Sequence, residues 1–97
     1  MKIFIVEGKI KNPRKMTNDI LSEHKAYTAI NITEGKVLFS SLKTESGSSV
    51  TILKEKGLET VKAFYENEPF FKNGIIEYNI SELDVHYNNP LASNWFE

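Results

Sequence analysis

Four short apolar runs at strand spacing and two stretches at helical spacing, all within 97 residues, predict an α+β domain with the order β-α-β-β-α-β. The chain is too short for arrangements with more crossovers. This order is the split βαβ, or ferredoxin-like, arrangement: a four-stranded antiparallel sheet with two helices on one face.

The elements follow in turn. From Lys2 to Ile10, Ile3 and Ile5 alternate with Phe4, Val6 and Ile10, so both faces of the first strand are apolar and both call for a cover. Lys11 to Lys15, with Asn12 and Pro13, is a turn. Thr17 or Asn18 can cap the first helix, with Asp19 well placed against the positive end of its dipole. Ile20, Leu21, His24, Tyr27 and Thr28 share its apolar stripe, and Gly35 can take the left-handed conformation that closes it. Lys36 to Leu42 is the second strand, with Val37 and Phe39 expected on one face, Leu38 and Leu42 on the other, and Ser40 and Ser41 at its far end.

Lys43 to Gly47 is a polar turn, which makes a hairpin with the third strand, Ser48 to Glu55. Gly57 precedes the second helix, whose stripe is Leu58, Val61, Phe64 and Tyr65. It must stop near Glu68, because a residue before proline is pushed out of the helical region. Pro69 can open one further turn that Gly74 closes. Ile75 to Ile80 is the fourth strand. Leu83, Val85 and Tyr87 then alternate on the opposite parity, which predicts a bulge or bend near Ser81 and Glu82. Asn88 to Glu97 has no period, yet it holds Trp95 and Phe96, so this tail is expected to dock on its own subunit or a neighbour. One domain, 1–97, is expected, with a core over about 2–87 and a tail over 88–97.

Composition narrows the function classes. Twelve basic residues against 13 acidic ones leave a net charge of -1, which provides no attraction for nucleic acid or an anionic membrane, and neither is expected as a partner. No cysteine is present, which removes disulfides, thiolate nucleophiles and cysteine-bound metal, and fits a reducing cytoplasm. MKIFIVEGKI reads as a strand rather than a signal peptide, and no apolar run approaches the ~18 residues that would span a bilayer. Two histidines far from any acidic cluster fall short of a metal site. Phosphate-loop and dinucleotide fingerprints are missing too, so neither metal nor cofactor is expected.

Two apolar sheet faces with helices on only one of them imply a second cover. A second copy supplies it most simply, closing two sheets into a dimeric α+β barrel, a homodimer with an isologous interface. A tail folded over the sheet of a monomer is the alternative.

Three features can carry chemistry. His24 lies on a buried stripe, where an imidazole can exchange protons near neutral pH. Glu68, before Pro69, can cap the turn that follows and continues the inward stripe of the second helix. Ser40 and Ser41 bring hydroxyls to the end of an apolar strand. His86 sits on the parity opposite Leu83, Val85 and Tyr87 and is expected to be exposed.

Taken in order, these residues resemble the YciI-like (YCII-related) family: a helix-one histidine at His24, Gly35 opening the second strand, small residues Ser40 and Ser41 ending it, and Glu68-Pro69-Phe70 followed by Gly74. The resemblance spans about Lys2 to Tyr87. It implies a dimeric α+β barrel with His24 and Glu68 as a catalytic His-acid pair in one pocket per subunit and Ser40 or Ser41 nearby. A related enzyme acts as a dehydrochlorinase on a chlorinated hydroxyquinol. The chain departs from the family pattern twice, with Glu68 where Asp is usual and Ser41-Leu42 where Gly-Pro is usual. The extra methylene moves the carboxylate by more than an angstrom, and Glu is the poorer cap. The expected function is a cofactor-independent lyase or isomerase acting on a small molecule. A metabolite-binding protein, or an interaction subunit using Trp95-Phe96, would present much the same sequence.

Overall fold

The computed structural model describes all 97 residues, Met1–Glu97. Its sheet contains β1 (Lys2–Ile10), β2 (Val37–Leu42), β3 (Ser49–Glu55) and β4 (Ile76–Leu83), in the order β2-β3-β1-β4 with every pair antiparallel. Helix α1 (Asn18–Thr33) joins β1 to β2, and α2 (Leu58–Glu66) followed by the short α3 (Pro69–Lys72) joins β3 to β4. Both crossovers lie on the face that carries Phe4, Val6 and Ile10. Val61 of α2 packs with Phe4, Val6 and Leu53, while Ile20 and Leu21 of α1 pack around Phe70, Ile75 and Ile76. The chain therefore has the ferredoxin-like α+β fold.

Local chemistry sets the ends of these elements. Thr17 caps α1 by accepting from the Ile20 amide at 3.2 Å. Gly35 stands at φ +75°, where a side chain would be strained, and the chain leaves the helix there for β2. Only 13 of the 97 residues are buried, so the two small clusters hold the domain together. Burial of each large side chain in them contributes about 1.5–3 kcal/mol.

Two register details differ from the sequence expectation. β1 and β4 pair without interruption from Ile3↔Leu83 to Ile10↔Ile76, so no bulge lies at Ser81 or Glu82. The parity change is a change of face: Ile76, Tyr78 and Ile80 point toward the helices, Leu83 points to the other side beside Ile3, and the strand ends there. Val85 and Tyr87 lie beyond it, exposed. The irregularity is instead in β2, where Val37 pairs with Leu53 but Phe39 pairs with Ile52. Val37 and Phe39 therefore occupy opposite faces rather than one. Ser40 and Leu42 turn toward the helices, and Phe39 and Ser41 turn away.

The second sheet face is partly dressed by the tail. After a 3-10 turn at Pro90–Ala92, α4 (Ser93–Phe96) brings Trp95 against the chain's own β2–β3 end. Trp95 Nε1 donates to the Gly35 carbonyl at 3.2 Å, and Lys54 Nζ donates to the Trp95 carbonyl while sitting 5.0 Å from its ring centroid. The rest of that face stays open, with Phe39 48% exposed and Ile5, Val50 and Ile52 half-buried. No helix is long and apolar enough to cross a membrane.

Candidate active site

Glu68 is held by the proline that follows it. Its backbone is extended (φ -71°, ψ 133°), as a residue before proline prefers, and this makes it the N-cap of α3. Oε2 accepts from the Phe70 amide at 3.0 Å, the Phe71 amide at 3.3 Å and the Tyr78 hydroxyl at 2.8 Å. Oε1 faces Nδ1 of His24 in a hydrogen bond. Glu68 is 1% exposed, and both of its carboxylate oxygens are engaged. A buried charge is tolerable only when it is met in this way. The one Glu68 side chain thus caps α3 and reaches α1 together.

His24 comes from the inward stripe of α1. Its ring stacks on Phe70, with centroids 3.7 Å apart and planes 1° from parallel, and Phe70 is the residue whose amide binds Glu68. Stacking and the Nδ1 bond fix the ring plane between them. Nε2 has no hydrogen-bond partner in the chain and is not sealed from solvent, and His24 lines the adjoining cavity.

That cavity, about 390 Å³, lies between α1 and the helix-facing side of the sheet, a size that suits a small organic molecule. Leu21, Val37, Leu42, Phe64, Phe70 and Ile76 belong to its apolar wall. On the sheet side, Ser40 Oγ and Thr51 Oγ1 share a hydrogen bond of 2.9 Å, and Thr51 adjoins the Tyr65 hydroxyl. Burial pushes the Tyr65 hydroxyl up to about 12, and burial followed by the Glu68 charge pushes Tyr78 up as well, so both remain neutral donors.

Of the residues singled out in the sequence, His24 and Glu68 are in contact and Ser40 lines the same cavity. Ser41 does not. The β2 irregularity turns it to the open face, where its Oγ donates to the Val50 carbonyl at 2.9 Å. His86 is exposed and bonds Asp84 at 3.1 Å. Sequence reading missed Tyr78, Thr51 and Asn31. One signal for Tyr78 was present in Gly8, a glycine inside a strand, which often marks a close approach. A Cβ there would stand 3.1 Å from the Tyr78 ring, 2.8 Å from Ile76 Cδ1 and 2.4 Å from Ser49 Oγ.

No family model matches the chain, and no curated protein sequence matches it. Among solved structures, it is similar to 5-chloro-2-hydroxyhydroquinone dehydrochlorinase (TftG) from Burkholderia phenoliruptrix AC1100, in complex with 2,5-dihydroxybenzoquinone. The TM-score is 0.64 at 16% identity, over 84% of this chain and 93% of that chain. The two proteins share a fold.

Proposed function

We propose that this chain is a cofactor-independent enzyme of the lyase or isomerase kind that moves a proton on a small hydroxylated ring compound held between α1 and the sheet. The observation that carries the reading is the His24–Glu68 pair, with Nδ1 engaged by a buried carboxylate and Nε2 left without a partner on a residue that lines the cavity. Nε2 takes a proton from the substrate as general base, and the Glu68 charge stabilises the imidazolium that forms. In a lyase the C–H electron pair forms a double bond as the leaving group departs with its own pair, and His24 then releases the proton to solvent. In an isomerase the proton returns to a different atom. Ser40, backed by Thr51, is the hydroxyl placed to bind a substrate oxygen.

The YciI-like resemblance and the activity in the name of the fold neighbour support this class of chemistry. The test is product formation by the wild-type chain with hydroxylated ring compounds, beginning with chloride release from 5-chloro-2-hydroxyhydroquinone. Turnover of one of them is expected. Thermal stabilisation by these compounds without product would make the chain a binding protein instead.

We also infer that the working unit is a homodimer, open sheet face on open sheet face, in the manner of a dimeric α+β barrel. The chain exposes 6660 Å², against roughly 5,700 Å² for a monomer of its mass, and Phe39 stands half-exposed at the centre of β2. Light scattering at micromolar concentration is expected to give twice the chain mass, and Phe39→Glu the single mass. A wild type that runs as a clean monomer would contradict the inference. The cysteine-free sequence fits a cytoplasmic setting for this enzyme.

A further inference from the structure

We infer that Asn31 reads the far end of the substrate, through a neutral carbonyl or hydroxyl oxygen, and so decides which ring compounds the cavity accepts. The inference rests on the cavity being the substrate site. Asn31 is the one buried residue of α1, at 7% exposure, while Ile30 and Ile32 on either side of it are 45% and 52% exposed. A helix whose rotation were set by burial alone would turn an isoleucine inward at this point. Asparagine is also a poor helix residue. Its backbone carbonyl accepts from Lys36 N at 3.0 Å, its side-chain amide has no hydrogen-bond partner within the chain yet is not sealed from solvent, and the residue lines the cavity. A local conflict of this kind is characteristic of functional positions.

The placement defines what would bind. His24 and Asn31 are two turns apart on the same face of α1, ~10 Å along the axis. A single ring with an oxygen at each end, making a hydrogen bond at each, covers roughly that span. His24 and Lys25 are the basic residues of the lining, and both lie toward the other end of the helix. A carboxylate at Asn31 would therefore be buried without a counter-charge, so the group read there is neutral.

NMR titration of the full chain, following the His24 ring and the Asn31 side-chain amide, tests this with phenol, hydroquinone and 4-hydroxybenzoate. Wild type is expected to bind hydroquinone about tenfold more tightly than phenol, as one additional neutral hydrogen bond implies, and 4-hydroxybenzoate no better than phenol. In Asn31→Leu the preference for hydroquinone should vanish with phenol affinity kept. Asn31→Asp covers the case in which the leucine variant does not fold. It still accepts from a hydroxyl, so it should keep hydroquinone but lose about tenfold toward 4-hydroxybenzaldehyde, whose carbonyl needs a donor. An unchanged preference in Asn31→Leu, or equal behaviour of the two probes in Asn31→Asp, with His24 still shifting, would overturn the role of Asn31 alone. No shift at His24 with any probe would overturn the cavity reading along with it.

Discussion

Replacing Glu68 with alanine is expected to destabilise the domain by about 3–5 kcal/mol, the range for breaking a buried, fully hydrogen-bonded ionic group. The truncation removes the acceptor of the His24 ring, the Tyr78 hydroxyl and the Phe70 and Phe71 amides together. Each of these donors is then left to find water or remain unpaired, and a cavity opens where the side chain was. The start of α3 loses its cap in the same step. Urea unfolding of the wild type and Glu68→Ala measures the difference. A loss within about 0.5 kcal/mol is what a surface acid would give, and would contradict the buried placement.

The second large effect is catalytic. With any substrate that the wild type turns over, His24→Gln is expected to lower kcat by about 10²–10⁴-fold, the usual contribution of a positioned general base. Glutamine is polar, roughly fills the space of the imidazole and can still bond Glu68, so ligand affinity should stay within about threefold. Steady-state kinetics and a binding titration on the same samples separate the two quantities. Equal turnover in both proteins would remove His24 from the chemistry. Equal loss of affinity and kcat would make it a ligand contact and no more.

The elements of this fold were legible because their signals are local. Thr17 at the start of α1, Gly35 at its end, Glu68-Pro69 between α2 and α3, and Gly74 after α3 each act within a few residues, and each behaves as its chemistry dictates. The strand irregularity was hidden for an equally physical reason. Val37, Leu38 and Phe39 are all apolar, so shifting one of them between faces leaves the hydrophobic pattern unchanged. That one shift also decides which serine enters the cavity, and the sequence leaves Ser40 and Ser41 equivalent until it is known. His24 and Glu68 could be named as candidates from a stripe and a cap, but their contact spans 44 positions and exists only through the packing of α1 on α3. Tyr78 looks like any aromatic of a strand, and Asn31 like a polar residue that a helix would turn to solvent. Their roles depend on the rotation of α1 and on the space left above Gly8, neither of which a local pattern encodes.

The most direct measurement is the protonation pattern of the His24 ring, read from its ¹⁵N shifts and long-range couplings in the wild-type chain at a pH where the imidazole is neutral. Expected is the form protonated at Nδ1, donating to Glu68, with the Nε2 lone pair free toward the cavity and moving further than Nδ1 when a ring ligand is added. A ring protonated at Nε2, or one averaging between both forms as a solvent-exposed imidazole does, would contradict a His24 that Glu68 orients as the base of this site.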